Sequence, residues 1–470
     1  IVGGGITGLT AALLLQKSGK KTVLAEAANI GFGTTGGTTA HINTFADTTY
    51  NETESAFGEE GAKLFADAIG TGFGIIKSNV EIYGIDCDYA EKAGYIYAED
   101  DVQAKELDNV YDGAVKVGVA VKYIDSVPTP VPYVKALQFD GQAQFQPLKY
   151  LQGLQKIYLD AGGVIFENTL IDSLENDNGV HIAISKSGSI KAQKVIYATH
   201  MPPNINVFNF RCAPYRSYVM AVKLASGSYP DALVYDTQDP YHYVRTHIIN
   251  GEELLIVGGH DHKTAHEDAA KPFSDLENYI REYYDVLSIA YKWSSQYYVP
   301  ADGFPYVGQL PFAAEGIYCA TGYNGNGMML GSVAARIIAD LVLDQQNPYA
   351  DLFSTTRLKP IDGFTEFVKE NADVAYHFVK DRIAINEPDS LSSLAPGTGK
   401  VIEVDGNNIA AYRDETGVIH ALSPVCTHTG CIVKFNNEEK SWDCPCHGAR
   451  YDIEGNVLTG PATKNLQKIA

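Results

Sequence analysis

The chain has 470 residues, more than one hydrophobic core usually holds, so two or three domains are expected. The formal net charge of −21 argues against nucleic-acid or anionic-membrane partners, because phosphate groups attract basic surfaces. No apolar run approaches the roughly 18 residues that span a bilayer, so no transmembrane segment is expected.

Three of the seven cysteines are scattered, and four fall between residues 426 and 446. Scattered cysteines are typical of a reducing compartment, which favours a cytoplasmic location. Ile1 lies where a strand would be ending, so we expect residues to be missing before it, and a signal peptide stays open. We interpret the acidic charge as a solubility feature, with attraction of a basic redox partner as the alternative.

The first 26 residues predict a dinucleotide-binding unit of strand, glycine-rich turn, helix and second strand. Gly3, Gly5 and Gly8 fit the pattern G-x-G-x-x-G, which gives a tight turn, close approach to a pyrophosphate and close helix–strand packing. The second strand ends at Glu26, about 20 residues later, where a carboxylate can accept the ribose hydroxyls. The pattern by itself leaves FAD and NAD open.

Periodicity and turn signals predict the further elements of the N-terminal part. They are a helix around 59–78, a helix from 149 followed by strands at 164–166, 181–184 and 194–198, a hairpin with strands 243–249 and 254–257, and a helix from 327 to about 344. Asn250-Gly251 is the hairpin turn. Tyr241, Tyr243 and Arg245 alternate along the first hairpin strand, so their side chains share one face.

Four sequence segments carry a family resemblance. They are GFGTTGGTTAH at 31–41, VIYATH at 195–200, DGFPYVG at 302–308 and IYCATGYNGNG at 317–327. These segments resemble the D-amino-acid oxidase and glycine oxidase superfamily, over most of residues 1–345. The resemblance implies an FAD cofactor and oxidation of a C–N bond. The residues that it implies for nucleotide binding are Gly3, Gly5, Gly8, Glu26, Thr38, Thr39, Gly322, Asn324 and Gly327.

The same resemblance implies where the substrate binds. In that superfamily a Tyr and an Arg of this sheet hold the substrate carboxylate, which makes Tyr243 and Arg245 candidates for that role. Tyr323, in the closing motif near the flavin ring, is the third catalytic candidate. Rim residues or a structural ion pair are the alternative interpretation. A histidine in a similar loop of dimethylglycine-type relatives is bonded covalently to FAD, so His41 is a candidate for such a link.

A segment rich in Pro, Ser and Gly at 386–399 predicts a linker, with a domain boundary near residue 385. Short strands separated by turn signals over 400–470 then predict a small all-β module. The division expected within 1–385 is FAD-binding segments at 1–45, 150–205 and 300–345, and substrate-covering segments at 46–150 and 205–300.

The C-terminal module contains a pattern for metal binding, C-x-H followed by C-x-x-H. Two Cys and two His could hold zinc, although this spacing fits a zinc finger poorly. The spacing matches Rieske ligation, in which two Cys hold one iron and two His hold the other. The predicted ligands of a [2Fe-2S] cluster are Cys426, His428, Cys444 and His447.

These motifs resemble the Rieske proteins of respiratory and photosynthetic complexes. The resemblance implies a disulfide between Cys431 and Cys446 that joins the two cluster loops, and a shielding proline loop at 460–462. Those proteins usually carry Ser where this chain has Ala449, and the Ser hydroxyl hydrogen-bonds to a cluster sulfur and raises the potential. Tyr451, the position of another donor, is retained. We therefore expect a reduction potential below the top of the Rieske range.

Both halves together resemble bacterial FAD-dependent oxidoreductases that carry a C-terminal Rieske domain. The implied fold is an α/β FAD-binding Rossmann-like domain with an α+β substrate domain, followed by an all-β Rieske domain. The implied function is dehydrogenation of an amine or amino acid, with electrons passing from FAD to the cluster and on to an acceptor, either a protein or a quinone. Two alternatives stay open: an oxidase that reduces O2, and an electron relay between proteins without a small substrate. The single dinucleotide motif argues against an NADH site.

Overall fold

The computed structural model describes residues 1–357, 391, 394–404 and 406–469. The predicted domain boundary near residue 385 lies outside the described residues, and so does most of the predicted linker at 386–399. The helices are α1 (Ile6–Lys17), α2 (Thr34–Gly37), α3 (Tyr50–Tyr83), α4 (Asp101–Lys116), α5 (Pro147–Asp160), α6 (Ala270–Tyr283) and α7 (Gly327–Val342), with a 3-10 helix at Val207–Phe210.

The strands are β1 (Val23–Ala25), β2 (His41–Ile42), β3 (Ala90–Ala98), β4 (Val121–Tyr123), β5 (Lys135–Gln144), β6 (Val164–Phe166), β7 (Ser173–Asp177), β8 (Val180–Ser185), β9 (Gly188–Ala192), β10 (Val195–Tyr197), β11 (Cys212–Leu224), β12 (Leu233–Asp236), β13 (His242–Ile249), β14 (Glu252–Lys263), β15 (Val286–Pro300), β16 (Tyr306–Gln309), β17 (Ile317–Thr321), β18 (Thr398–Val404), β19 (Asn407–Arg413), β20 (Ile419–Leu422), β21 (Lys434–Asn436), β22 (Ser441–Asp443), β23 (Arg450–Tyr451) and β24 (Val457–Thr459).

The dinucleotide-binding unit is a mostly parallel sheet that is joined through Val2. This residue forms parallel bridges to Ala25 at the end of β1 and to Tyr197 at the end of β10. β6 pairs with β1, and β17 and then β16 extend the sheet beyond β10. Because α1 starts directly after the Val2 bridge, the glycine turn lies at the carboxyl ends of the parallel strands, where nucleotides bind in such folds.

A second sheet of nine strands combines the two segments that were expected to cover the substrate. Its order is β15-β11-β14-β13-β12-β3-β5-β2, with β4 also paired to β5. The predicted hairpin forms β13 and β14. Its turn residues Asn250 and Gly251 both have positive φ, 53° and 81°, as a type I′ turn requires.

Helices α3 and α7 form the core next to the dinucleotide-binding sheet. Phe65 and Ile69 of α3 are buried in one cluster with Leu330 and Ile337 of α7. A Cβ on Gly72 of α3 would lie 2.1 Å from a carbonyl oxygen of α7, so the two helices approach each other closely at this glycine. Hence α3, although it falls in a predicted substrate-covering segment, packs on the FAD-binding side. The helix predicted around 59–78 is the central part of this longer helix.

The C-terminal module is all-β, as predicted. β18, β19 and β20 form one antiparallel sheet, and β21 to β24 form another. Trp442 and Tyr451 are fully buried in a cluster that includes Cys426 and Cys444. The two cysteine-containing loops therefore leave from the core of this module, one after β20 and the other between β22 and β23.

The sequence signals do not predict β11 and β15, the two longest strands of the described chain. They pair with each other along their whole length, from Cys212 opposite Pro300 to Leu224 opposite Val286. A pairing between segments that lie so far apart in the sequence leaves no local turn signal. None of the described helices combines the length and the apolar character that crossing a membrane requires.

Candidate active site and cluster site

A first cavity, which we name the nucleotide cavity, lies between the glycine turn, the end of β1 and the C-terminal module. Gly3 has a φ of +105°, and a Cβ there would lie 2.4 Å from the carbonyl oxygen of Ala198. A Cβ on Gly8 would lie 1.9 Å from the carbonyl oxygen of Gly3. Only glycine fits these two positions. The close packing brings the N-terminus of α1 to the cavity, where its N–H groups can stabilise a phosphate.

The carboxylate of Glu26 lies in the same cavity at the end of β1. Its two oxygens accept hydrogen bonds from the backbone N–H groups of Gly4 at 2.6 Å and Ala28 at 2.9 Å. Burial raises its pKa, and these N–H groups act in the opposite direction. A helix N-terminus and an acid on the next strand form the set of groups that a dinucleotide needs, so the residues fit FAD.

Nine residues were predicted to bind the nucleotide. Those that line the nucleotide cavity are Gly3, Gly5, Glu26, Thr38 and Gly327. Thr39 lines a second cavity beside it. The other three, Gly8, Gly322 and Asn324, line neither cavity in the described part of the chain and contact protein instead. The Asn324 amide, for example, donates to Thr48 Oγ1 at 3.1 Å.

The second cavity, which we name the tyrosine cavity, adjoins the nucleotide cavity. The residues common to both are Thr34, Thr38, Gln296, Tyr297, Gly325 and Met328. Four tyrosines supply much of its wall, and they are Tyr235, Tyr241, Tyr243 and Tyr297. Its other polar side chains include His41, Asn43, Asp47, Ser217 and Asp261. Because this cavity continues from the nucleotide cavity, it is the place where a small substrate could meet the cofactor.

Hydrogen bonds fix several walls of the tyrosine cavity. The Tyr297 hydroxyl donates to Asp261 Oδ2 at 2.8 Å. The hydroxyl oxygens of Tyr243 and Ser217 are 3.0 Å apart and share a hydrogen bond. His41 Nδ1 lies 2.6 Å from the Tyr235 hydroxyl. These contacts tie β2, β11, β12, β13, β14 and β15 together around the cavity.

Burial shifts the pKa values of the ionisable groups in this cavity. It raises the pKa of Asp261 to about 6, and desolvation by the cavity walls raises that of Asp47, which is exposed to the open space of the cavity, to about 7. Burial, together with the nearby charge of Arg245, holds the pKa of His41 well below its usual range. His41 is therefore uncharged at neutral pH, whereas the two carboxyl groups have pKa values close to neutral pH.

The three residues predicted as catalytic have different positions. Tyr243 lines the tyrosine cavity, and Tyr323 lines the nucleotide cavity, where its hydroxyl lies 2.9 Å from Thr7 Oγ1. Arg245 is 3% exposed and lines neither cavity in the described part of the chain. Its Nε and Nη1 atoms have no hydrogen-bond partner there. Its charge acts on His41 and Tyr235, two residues of the tyrosine cavity, so the guanidinium lies close to that cavity without lining it.

The predicted cluster ligands come together at the ends of two loops. Cys426 and Cys444 are buried, carry free thiols and lie close enough for the Cys444 thiol to lower the pKa of Cys426. The rings of His428 and His447 lie 5.0 Å apart between centroids. His428 Nδ1 and His447 Nε2 are buried and have no partner in the described chain. Two adjacent thiols and two histidines with free ring nitrogens are the ligands that a Rieske cluster uses, so these residues fit it.

The structure joins Cys431 and Cys446 in a disulfide with an S–S distance of 2.01 Å. These sulfurs and that of Cys444 lie within 4.8 Å of one another. Because the first two are bonded to each other, only Cys444 of this trio is free to bind iron. The disulfide links the two cluster loops, as the resemblance implied.

Two neighbours of the cysteine ligands control hydrogen bonding to the cluster. The Tyr451 hydroxyl lies 3.2 Å from Cys426 Sγ. Ala449 is fully buried, and its carbonyl oxygen accepts a bond from the Cys444 N–H at 2.8 Å. The Ala449 side chain has no donor, so the hydrogen bond that a serine would supply is absent at this position.

The second cluster loop packs directly against β15. The Tyr298 hydroxyl donates to the carbonyl oxygen of His447 at 3.0 Å, and Gln296 Nε2 donates to that of Gly448 at 3.0 Å. Both side chains belong to residues that line the nucleotide cavity. His428 Nε2 donates to the Asn204 carbonyl oxygen at 3.2 Å. The cluster loops and the nucleotide cavity are thus neighbours, separated by single side chains.

The predicted proline loop lies at the same interface. Pro461 and Ala462 line the nucleotide cavity together with the residues before them from β24. The Thr463 hydroxyl donates to the Asp172 carbonyl oxygen of the N-terminal part at 3.2 Å. This loop therefore covers the nucleotide cavity, a position that the sequence did not indicate.

A buried ionic network fixes the contact between the two parts. Arg216 of β11 is 1% exposed and pairs with Glu439, which also binds Arg450 at 2.8 Å. Arg450 in turn pairs with Asp443 at 2.9 Å. Burial and the positive charge of Arg450 lower the pKa of Arg216, and the two carboxylates oppose this change. The network spans the interface beside β15.

Sequence reasoning missed the side chains that connect the sites. They are Asp47, Arg216, Asp261, Gln296, Tyr297 and Tyr298. Three of them are consecutive residues of β15, a strand that no local signal predicts. The run Gln296-Tyr297-Tyr298-Val299 contains aromatic and β-branched residues, but without a turn signal beside it this run identifies neither the strand nor its partner.

Comparison with known proteins gives two family matches. Residues 1–341 match the model of FAD dependent oxidoreductases, and residues 386–470 match the Rieske [2Fe-2S] domain. The Bacillus subtilis protein YhfW, named as a Rieske 2Fe-2S iron-sulfur protein, is 34% identical over 100% of this chain and 92% of its own length.

Two further similarities concern the N-terminal part. The gamma-glutamylputrescine oxidoreductase of Escherichia coli is 23% identical over 82% of this chain and 93% of its own. Glycine oxidase from Geobacillus kaustophilus superposes with a TM-score of 0.62 at 19% identity, covering 76% of this chain and 98% of that enzyme. The fold of residues around both cavities is therefore that of the glycine-oxidase type.

Proposed function

This chain belongs to the family of FAD-dependent oxidoreductases and carries a Rieske domain, and on that premise we propose that it dehydrogenates a C–N bond of an amine or amino acid and delivers the electrons through its own cluster to an external acceptor. FAD, when bound, accepts a hydride from the carbon next to nitrogen, and the [2Fe-2S] cluster carries single electrons. The substrate loses that hydride and an N–H proton, and water hydrolyses the resulting imine to a carbonyl compound and an amine.

One observation carries this proposal. Tyr298 and Gln296 line the nucleotide cavity and hydrogen-bond to the backbone of the loop that holds His447. Within one chain, a site for a two-electron cofactor and a site for a one-electron cofactor therefore share the same two side chains. Direct electron transfer from FAD to the cluster would require the two sites to be this close. An enzyme whose flavin reacts only with O2 would have no need of a cluster beside the flavin.

Under this proposal, Thr34 and His200 hold β15 in place between the two sites. Thr34 donates to the Gln296 carbonyl oxygen at 2.8 Å and lies 3.1 Å from His200 Nδ1, which holds β15 against the loop of α2. The His200 ring contacts Tyr298 edge to face at 4.7 Å. Burial lowers the pKa of His200 to about 4, so it is neutral and adds no charge between the two sites. Pro461 and Ala462 of the proline loop line the nucleotide cavity and would help to exclude water from it.

The tyrosine cavity supports a substrate enzyme over a relay between proteins. It is a polar pocket of defined residues next to the nucleotide cavity, whereas a relay would need no such space. Burial raises the pKa of Tyr243, so this residue stays a neutral phenol that can donate a hydrogen bond to a substrate but cannot act as a base at neutral pH.

The test is an anaerobic spectrum of the holoenzyme, titrated with a panel of amines, N-methyl amines and amino acids. We expect loss of the flavin absorbance to be followed by loss of the Rieske absorbance. Flavin bleaching that leaves the cluster oxidised would overturn the internal transfer and favour an O2-reducing oxidase. No bleaching by any compound, while dithionite reduces both centres, would overturn the dehydrogenase and favour the relay.

A further inference from the structure

Among the described residues, two carboxyl groups and no Lys or Arg line the tyrosine cavity. Asp47 and Asp261 line it, and no Lys or Arg is among the described residues that line this cavity or the nucleotide cavity. His41, the one basic side chain in the described part of its wall, is neutral at neutral pH because burial and the charge of Arg245 lower its pKa. Among the described groups that line the cavity, an anionic ligand would therefore contact only negative or neutral ones.

Each carboxyl group is held by the protein in a way that leaves room for a ligand. Asp261 Oδ2 accepts from the Tyr297 hydroxyl, and the nearby Ser217 hydroxyl also lowers the pKa of this carboxyl group, whereas the buried Oδ1 has no partner within hydrogen-bond distance in the described chain. Asp47 Oδ1 accepts from the Asn326 amide at 3.2 Å, and the Asp47 N–H donates back to Asn326 Oδ1 at 2.8 Å. A buried carboxylate oxygen without a donor is costly unless a ligand supplies one.

The walls between these carboxyl groups are aromatic. Tyr241 and Tyr243 lie next to each other with ring centroids 5.8 Å apart, and the His41 ring contacts Tyr243 edge to face at 5.5 Å. Tyr235 and Tyr297 complete the box. Tyrosine faces attract ammonium groups, most strongly where water is excluded. Aromatic rings and carboxylates together select for positive charge.

The group that would recognise a substrate carboxylate is not in position. Arg245 is the nearest guanidinium in sequence to these tyrosines, yet it does not line the cavity, and its charge acts on His41 and Tyr235, which do line it. A carboxylate in the cavity would lie beside Asp47 and Asp261 instead of a cation, which costs free energy through like-charge repulsion.

We infer that the substrate of this site is a cationic amine without a carboxylate on the oxidised carbon, with its ammonium group bound by Asp261 and Asp47 inside the tyrosine box. This inference rests on the proposed function and narrows its substrate class from amines and amino acids to amines. Gly325, whose Cβ would lie 2.4 Å from Asp47 Oδ2, keeps that carboxylate open where the two cavities meet.

The first experiment measures binding to the oxidised holoenzyme at pH 8 by perturbation of the flavin absorbance. The probes are butyltrimethylammonium, a cation that cannot form an imine by loss of a hydride, and pentanoate, an anion of similar chain length. We expect saturable binding of the cation and at least tenfold weaker binding of pentanoate. Equal or tighter binding of pentanoate would overturn the inference, whatever the activity of the enzyme.

The second experiment compares butylamine with norvaline, which is butylamine with a carboxylate on the carbon next to nitrogen. We expect butylamine to bleach the flavin anaerobically and norvaline to do so at least tenfold less efficiently. Equal efficiency would overturn the inference and leave the proposed function standing. Cation binding in the first experiment without bleaching by any amine would support the binding site and overturn the proposed function instead.

A matched pair of variants assigns the effect to the cavity. Asp261→Asn should weaken butyltrimethylammonium binding at least tenfold, whereas Asp160→Asn should leave it unchanged, because Asp160 is an exposed acid at the end of α5. If both variants bind the cation as the parent protein does, Asp261 is not the anchor and the inference fails. If Asp261→Asn loses FAD, the comparison of butyltrimethylammonium with pentanoate in the parent protein still tests the inference.

Discussion

Ala449 and Tyr451 decide how many hydrogen bonds the cysteine ligands receive from this side of the cluster loop. The Tyr451 hydroxyl reaches Cys426 Sγ, and it also accepts from the Thr427 N–H at 3.2 Å, which fixes its position. Ala449 has the backbone contact to Cys444 but no side-chain donor. Hydrogen bonds to the cluster sulfurs favour the reduced, more negative state, so the potential should reflect their number.

Ala449→Ser should raise the reduction potential of the cluster by about 40 mV. The estimate takes one net hydrogen bond as about 1 kcal/mol and a one-electron couple as 59 mV per tenfold change. A spectroelectrochemical titration of the Rieske absorbance measures the shift, and Tyr451→Phe should move it downward as the converse control. An unchanged potential in Ala449→Ser, with the cluster intact by its spectrum, would contradict this account.

Asp47 and Asp261 should make cation binding depend on pH. Their pKa values of about 7 and about 6 lie above the ordinary value for Asp, so both are protonated at pH 5 and ionised at pH 8. In this range of about pH 4 to 7 the folded state holds protons that the unfolded state has already lost, so the free energy of unfolding falls as the pH rises. A bound cation stabilises the ionised carboxylates and opposes this loss. His41 and the four tyrosines around the cavity stay neutral throughout.

The affinity for butyltrimethylammonium should therefore rise at least tenfold between pH 5.5 and 8 and level off above the higher pKa. Flavin-absorbance titrations across this range measure it, and the permanent charge of the probe removes any titration of the ligand. Asp261→Asn should abolish the part of the rise near pH 6 and keep the part near pH 7. An affinity that is flat or falls with pH would argue against ionised carboxylates as the binding groups.

At the level of elements, the sequence predicted what local signals encode. The glycine turn, α1 and Glu26 are adjacent in sequence and act through their own backbone, so their arrangement follows from the pattern. β15 has no such signal, because it is defined by pairing with β11. Its period of two then places Tyr297, which binds Asp261, on one face, and Gln296 and Tyr298, which bind the cluster loop, on the other. One unpredicted strand thus serves both sites.

Substitutions at Gly8 and Gly70 test the packing of α1, a helix that the sequence did predict. In Gly8→Ala the new Cβ would lie 1.9 Å from the Gly3 carbonyl oxygen, so α1 must move away from the turn. FAD occupancy, measured as the ratio of flavin to protein absorbance, should fall at least tenfold. Gly70→Ala is the control, since Gly70 is exposed in α3 with no atom within 4 Å of its Cβ, and we expect stabilisation by roughly 0.5–1 kcal/mol. Full FAD occupancy in Gly8→Ala would refute the packing argument.

At the scale of the molecule, the fold classes and cofactors followed from the motifs, whereas the docking of the two parts did not. Arg216 and Glu439 are 223 residues apart in the chain, and neither belongs to a recognisable pattern. Arg245 shows a different limit of prediction from sequence, because here the sequence did give an expectation. The resemblance assigned it to the substrate, and it shares a face of β13 with Tyr243, but the packing of distant elements around it buries its side chain so that it lines neither cavity. Contacts that depend on the final packing of distant elements are not encoded locally.

Glu439→Gln and Glu438→Gln make the same change at adjacent residues and test the docked arrangement. Glu439 neutralises Arg216, which is buried, so its loss leaves a buried charge without its partner and should weaken docking by about 3 kcal/mol. Glu438 pairs with the half-exposed Lys292, so its loss should cost less than about 1 kcal/mol.

Stopped-flow absorbance after anaerobic mixing with substrate separates the reduction of the flavin from that of the cluster in these two variants. In Glu439→Gln we expect flavin bleaching at the parental rate and cluster reduction at least tenfold slower, because the cluster loops leave Tyr298 and Gln296 in most molecules. In Glu438→Gln both rates should match the parent. Equal cluster reduction in the two variants would mean that the Arg216–Glu439 pair does not hold the loops on β15, and that backbone contacts such as Tyr298 to His447 suffice by themselves.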